Sequence, residues 1–469
     1  MIGLLLLAFP FSTAPTVRAA PPLFRAGAAT TDLTPQRGVS LDGPIGKNGP
    51  VVGIHDPLKS RALVLHQGSV TLAIVVNDMC VIDKGVYDQA KSIVEEKLGI
   101  PGSHVLMSAT HSHATPRVMR IRTGPLDEAY RELVANRMAE AVIAAHGNLA
   151  SAKLGFGSFD RRDYVICRRS LCKEGSVGVN PFGEAGEVVK SVAGSSNQVL
   201  EPAGPTDPQL SVLSVVHADG KPLALVANFS VHYCGGYERG KVSADYFGAF
   251  ARSLSERLQS GADHPPFVGM MSNGTSGNIS SVQVRVNKKG PWIRIEKSGA
   301  VLAEQTAELV TGIQHTVPAQ IAALVSHLEL SVRKPDAQRV AWAKKFLESP
   351  GTKGPHRWSR VYADETLHLA KFPEKYRLFI QVFRIGDVGI ASLPCEAFAE
   401  TGLIIKKNSP FQHAFTISLA NGFSGYLPPP QQHKWGGYET WPARSSHLEV
   451  GAEPKIVAEI SRLMQELAD

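Results

Sequence analysis

Two histidines two residues apart, His111 and His113, close the stretch Ser108-Ala109-Thr110-His111-Ser112-His113. Upstream, Ile100-Pro101-Gly102-Ser103-His104 reads as a turn, and Val105-Leu106-Met107 reads as a short buried strand. Alternate side chains of an extended chain share a face, so both imidazoles leave the strand on one side. They can then reach a single point, which suits a metal ion or a reacting carbonyl. One buried structural histidine beside one exposed histidine fits the same pattern equally well. Three more polar residues follow apolar strands in this way: His232 after Asn228-Phe229-Ser230-Val231, Glu396 after Leu393-Pro394-Cys395, and Tyr426 after Ser424-Gly425. Taken singly, each is more often a strand-end hydrogen-bonding group than a ligand. Two or three histidines with one carboxylate, taken together, form a set suited to zinc, whose catalytic sites keep one position open for water.

The elements that must position these residues read mainly as hairpins. Apolar strands at 61–65 and 70–76 flank His66-Gln67-Gly68, those at 210–216 and 222–229 flank Asp219-Gly220, and those at 378–385 and 388–393 flank Gly386-Asp387. Helical periodicity falls at 86–98, 126–145, 244–258, 299–313, 339–347, 397–407 and 452–468. Hairpins outnumber strand-helix-strand units, which predicts an α+β fold: mixed, mostly antiparallel sheets flanked by helices in a single large domain. The Gly/Ser-rich stretch 174–205 reads as a surface excursion, and 423–441, with its aromatics and glycines, as a loop that lines a pocket mouth or simply packs. No internal repeat shows in the sequence.

Composition narrows the function classes. The chain has 469 residues, 43% hydrophobic and 19% charged, which is globular composition. A net charge of +7, from 49 basic and 42 acidic residues with no dense basic run, argues against nucleic-acid binding and leaves peripheral contact with an anionic membrane surface open. Residues 1–20, with Leu4-Leu5-Leu6-Leu7-Ala8-Phe9 and Val17-Arg18-Ala19, have the shape of a signal peptide, too short to span a bilayer. The expectation is a secreted or periplasmic protein whose mature part is 21–469. Of five cysteines, Cys167 and Cys172 are spaced to close a small loop, which leaves Cys80, Cys234 and Cys395 as buried thiols. No CxxC pair is present to build a cysteine zinc site. Asp56 and Asp78 are candidates to hold a ligand histidine by its free N–H.

Ala109-Thr110-His111-Ser112-His113, Asn228-Phe229-Ser230-Val231-His232, Gly277-Asn278-Ile279-Ser280, Leu393-Pro394-Cys395-Glu396 and Gly425-Tyr426-Leu427 stand in the order and rough spacing of the catalytic domain of neutral ceramidases. Over residues 24–450 the chain therefore resembles that family of exported zinc amidases, which cleave the N-acyl bond of ceramide. The resemblance implies Zn2+ bound by His111, His232, Glu396 and Tyr426, with His113 polarising the carbonyl or moving a proton. Arg168, in Cys167-Arg168-Arg169-Ser170, matches the family's Asn-Arg-Ser element, with Cys167 in place of the Asn. Ser280 matches the serine of the family's Gly-Asp-Val-Ser-Pro element. Here Gly277-Asn278-Ile279-Ser280-Ser281 lacks both the Asp and the Pro, and no general base adjoins it, so an oxyanion or substrate contact is expected ahead of a nucleophile.

Two departures bear on substrate. Val242-Ser243-Ala244-Asp245-Tyr246 stands where ceramidases have Gly-Asp-Asn-Lys-Gly, and the sequence given stops soon after the catalytic part, where ceramidases continue into an immunoglobulin-like domain. The resemblance implies a zinc-dependent amidohydrolase that attacks a ceramide-like N-acyl amide with metal-activated water. Its partner is a lipid or small-molecule substrate that need not be ceramide. A zinc hydrolase of another ester, lactone or amide is one alternative, and a non-catalytic surface-binding protein that retains the fold is the other.

Overall fold

Each of the three expected hairpins forms and continues in one way: a helix, then a strand that returns parallel to the hairpin's second strand. The computed structural model describes residues 23–43, 48–119, 126–191, 197–281, 290–349 and 351–469, so the signal-peptide reading over 1–20 lies outside the described residues. The first unit is Lys59–Gln67, Val70–Asn77, the helix Lys84–Leu98 and Val105–Ala109. The second is Gln209–His217, Pro222–Phe229, the helix Asp245–Arg257 and Val268–Asn273. The third is Lys375–Ile385, Val388–Ser392, the helix Ala399–Asn408 and His413–Ile417. Each hairpin turns on a glycine at positive φ (Gly68 60°, Gly220 89°, Gly386 60°), where an L side chain would be strained. The repeat is one of topology, and the turn glycine is its clearest trace in sequence.

Among the described residues, units one and two share an eight-stranded sheet in the order Val268–Asn273, Pro222–Phe229, Gln209–His217, Ala150–Asp160, Phe24–Asp32, Lys59–Gln67, Val70–Asn77, Val105–Ala109. Pairing is antiparallel except at the two edges, which are the returning strands. Unit three forms a second sheet with Ile321–Ser331 at its edge. The two sheets pack face to face through Leu63, Leu65, Ile74 and Leu213 on one side and Phe383, Ile385, Ile390 and Phe415 on the other. Alternate residues of the same strands point outward under helices: Val64 and Val75 against Val86 and Met138, Val212 and Ala227 against Phe247 and Leu302, and Ile380 and Val382 against Ile456 and Ile460. The result is a helix-sheet-sheet-helix sandwich of the expected α+β class. Burial on both faces explains why the strands read as continuous apolar runs.

The returning strands converge at their ends. Ala109 N donates to Leu419 O, Asn421 N to Met107 O and Ser418 N to Asn273 O, at 2.8–3.1 Å. This knit draws the units together at one end, where His111 follows the returning strand of unit one and His232 and Glu396 follow the second hairpin strands of units two and three, ahead of their helices.

Two sequence expectations change. The stretch 174–205 is not only an excursion, because Val189–Ser191 and Val199–Pro202 flank Arg169–Cys172 in a three-stranded sheet that frames Arg168. The Cys167–Cys172 loop does not close: all five cysteines are free thiols, and these two donate to Arg169 O and Ser170 O. The chain between them is largely extended, at roughly 3.3 Å per residue, which carries the two Cα atoms beyond the ~7 Å a disulfide spans. The helices Ser359–Ala370 and Pro430–Trp435 are additional to those the periodicity indicated. Among the described residues no helix is long and apolar enough to cross a membrane.

Candidate metal centre and active-site cavity

His111 leaves its strand with φ 72°, a left-handed conformation that is costly for a residue with a Cβ. Its backbone N–H is held by Met79 O at 2.9 Å, and its ring Nδ1 lies 3.0 Å from Cys80 O. A carbonyl only accepts, so Nδ1 carries the proton and Nε2 presents its lone pair. The same device fixes His232, whose Nδ1 lies 3.2 Å from Ser276 O. These carbonyls do the work expected of Asp56 and Asp78. Asp78 instead receives Arg61 and Lys59 N, and Asp56 receives Ser243 Oγ and Ala244 N.

Glu396 pairs with Tyr426 across a two-residue parallel ladder, which sets their side chains next to each other. The chain at Gly277 presses on this ladder so closely that a Cβ there would lie 2.4 Å from Glu396 O. The ligating atoms of His111, His232 and Glu396 all fall within 4.8 Å of one another. His111 Nε2 stands 3.5 Å from Glu396 Oε2, and that buried oxygen has no hydrogen-bond partner among the described residues. A carboxylate oxygen facing a ring lone pair is unfavourable unless a cation lies between them. Two imidazoles and a carboxylate with a tyrosine alongside therefore fit a divalent metal of the zinc type.

Around this cluster lie the polar groups of a reaction site. His113 Nε2 is 3.2 Å from His111 Nε2, and its ring stacks on Tyr233 at 3.7 Å. Burial pushes His113 and His232 well below the usual histidine pKa, and nearby positive charge (His111 first for His113, Arg168 first for His232) adds to this, so both are neutral at neutral pH. Arg168 Nη2 donates to Tyr426 OH at 3.2 Å and to Gly277 O at 2.5 Å. Burial, reinforced by the charge of Glu396, raises the Tyr426 hydroxyl well above the usual tyrosine pKa and keeps it protonated.

His111, His113, Arg168, His232, Glu396 and Tyr426 all line one cavity of about 1010 Å³. Its outer wall carries Trp358, Val361, Tyr362 and Trp441, so the 423–441 stretch does reach the pocket. Ser280 is not part of that lining. It lies between buried Ile279 and Ser281 on a short strand, opposite Ile166, and the serine of this loop that reaches the cluster is Ser276, 3.4 Å from His232 Nδ1. Residues the sequence did not single out also belong to the site. Tyr438 sets its ring edge-on to Tyr426 at 5.7 Å, and buried Glu439 accepts from Arg168 Nε at 3.2 Å. Both sit in the glycine- and aromatic-rich loop, where a lone glutamate was the one available signal.

In architecture the chain is similar to a solved structure described as neutral ceramidase from Pseudomonas aeruginosa. The two share 17% identity and a TM-score of 0.73 over 96% of this chain and 75% of that one. It is likewise similar to a structure of a ceramidase complexed with C2, at 16% identity and TM-score 0.71 over 95% of this chain and 75% of that one. At such identities the likeness concerns the fold. None of the curated proteins matches the sequence. The family model for neutral/alkaline non-lysosomal ceramidase, N-terminal, matches residues 24–308, which is more than half of the chain and includes His111, His113, Arg168 and His232. The chain is thus a member of the neutral/alkaline non-lysosomal ceramidase family.

Proposed function

We propose that this protein is an exported, zinc-dependent amidohydrolase that cleaves the N-acyl bond of ceramide or a closely related lipid amide. The observation that carries the reading is the unpartnered Glu396 Oε2 facing His111 Nε2, with His232 completing the triangle. Family membership supports the class of reaction, and the signal-like stretch over 1–20 supports export. A zinc ion held by His111, His232 and Glu396 would supply a Lewis acid and lower the pKa of water to roughly 7, and Tyr426, expected as a fourth ligand, is read instead as a donor because its hydroxyl meets Arg168.

The chain's own groups do the rest. His113, neutral and half-buried, takes the proton of the attacking water at Nε2 and returns it to the departing amine nitrogen. Arg168 Nη2 donates toward the acyl oxygen as it gains charge, and Tyr426, whose oxygen already accepts from Arg168, keeps its own proton to donate. Tyr233 holds the His113 ring in plane by stacking. Metal analysis of the purified protein, with turnover of ceramide measured beside a panel of N-acyl amines, esters and lactones, tests the reading. Bound zinc and chelator-sensitive cleavage of the amide support it. A metal-free protein that still turns over, or cleavage of esters or lactones alone, overturns it.

A further inference from the structure

Behind Arg168 runs a line of buried polar groups that the reaction scheme leaves without a role. Glu439 is fully buried and takes Arg168 Nε on Oε1 at 3.2 Å and Arg169 Nη1 on Oε2 at 2.5 Å. Ser191 Oγ lies 2.9 Å from each of those oxygens, so the carboxylate is held from three sides. Arg169 is anchored in turn: its Nε donates to Gln432 Oε1 at 3.0 Å, its Nη2 donates to Gly436 O, and Gln432 Nε2 donates to Glu400 Oε1 at 2.7 Å. Gly437 allows this approach, because a Cβ there would lie 2.7 Å from Arg169 Nη1. Burial alone would raise the Glu439 pKa, and the two guanidiniums outweigh it and hold the group ionised.

The consequence falls on direction. Arg168 has a flexible stem, and a guanidinium free to turn would lose its aim at the cavity. With Nε pinned by Glu439 and Nη2 bonded to Gly277 O, the guanidinium plane is fixed and Nη2 meets Tyr426 OH. We propose that Glu439 is a positioning residue that orients Arg168 Nη2 toward the acyl oxygen, and that Arg169 and Ser191 hold Glu439 for that purpose. The inference rests on the reading of Arg168 as the oxyanion donor.

Glu439→Gln is the direct test, with Ser191→Ala as the milder variant should the first fail to fold, since it leaves both guanidiniums paired. Two readouts are needed. With the zinc-loaded protein and a short-chain ceramide, Glu439→Gln lowers kcat by about 10²-fold with KM changed by less than about threefold, as expected when an oxyanion donor is misplaced. Ser191→Ala lowers kcat by a few-fold in the same pattern, and zinc content and near-ultraviolet circular dichroism stay as in the wild type. Independently of turnover, laurate, whose carboxylate matches the acyl product, binds Glu439→Gln about tenfold more weakly by calorimetry, because a charge-assisted contact to Arg168 is lost. Unchanged kcat and unchanged laurate affinity in either folded variant overturn the proposal, as does a loss of activity that tracks loss of zinc or of fold. If the wild type cleaves no N-acyl amide, the proposed function fails, and the laurate arm still decides the role of Glu439.

Discussion

Glu396 Oε2 lies 3.5 Å from His111 Nε2, and both are acceptors when His111 carries its proton on Nδ1. A carboxylate oxygen facing that ring's lone pair is unfavourable without a cation between them, so a metal bound here would couple to folding. Zinc at a hundred times its dissociation constant should stabilise the fold by about 2.7 kcal/mol, seen as a rise in Tm. Glu396→Gln should separate the two effects, because its amide can donate to His111 Nε2. The metal-free variant should then melt above the metal-free wild type, by about 1 kcal/mol of stability, and gain little when zinc is added. Melting curves of both proteins with and without zinc check this. A metal-free Glu396→Gln protein less stable than the metal-free wild type would contradict it.

His111 and His113 separate in the same way by role. His111→Ala should lose zinc and turnover together. On the proposed ligand set of His111, His232 and Glu396, His113→Ala should keep zinc and should lose about 10²- to 10⁴-fold in kcat as a proton-transfer group is removed. Metal content and steady-state kinetics of the two variants, measured together, decide it. Loss of zinc from His113→Ala would move that residue into the ligand set.

The convergence of His111, His232 and Glu396 was legible because each follows an apolar strand, and a strand end in a sheet buried on both faces is where a polar side chain can meet others. Arg168 was legible through its motif, whereas its partner Glu439 lies 271 residues away, in a loop with no periodicity to reveal its burial. Ser280, expected at the substrate, lies in a paired strand between two buried residues and outside the cavity lining, while Ser276 in the preceding loop lies against His232 Nδ1. The threefold hairpin-helix-strand repeat stayed hidden because its conserved content is a turn glycine and apolar alternation, which many side chains satisfy. The pairing of Cys167 with Cys172 failed on extension of the chain, which spacing along the sequence does not report.

Asp56 gives the fold a pH dependence apart from the metal site. Burial raises its pKa from 3.8 to about 6, against the hydrogen bonds of Ala244 N and Ser243 and the charge of Arg252. A carboxyl that binds its proton more tightly when folded stabilises the fold while protonated, and this contribution is lost as pH rises from about 4 through about 6. The shift of 6 − 3.8, or about 2.2 units, corresponds to about 3 kcal/mol lost across that window. Asp56→Asn should flatten the slope of stability between about pH 4 and pH 6. Urea midpoints across that range compare the two proteins, and identical slopes would exclude Asp56 as the titrating group.

Gly277 lies between the two halves of the site. Its carbonyl receives Arg168 Nη2 at 2.5 Å, its N–H donates to Ala397 O at 2.8 Å, and a Cβ would lie 2.4 Å from Glu396 O and 2.9 Å from Ala397 O. Both obstructing atoms are backbone, so no side-chain rotation relieves the clash, and the strand bearing Glu396 must move. Gly277→Ala should therefore cost about 1–3 kcal/mol of stability, the range for overpacking. The displacement also falls on Glu396 and Arg168 together, so zinc affinity should drop and kcat of the protein saturated with zinc should drop as well. Gly269→Ala is the control, since its nearest neighbours at 3.0–3.5 Å are side-chain atoms of Leu254 and Phe267, away from the cluster. It should lose stability without losing zinc affinity. If Gly277→Ala binds zinc and turns over as the wild type does, Glu396 is not held in place by this contact.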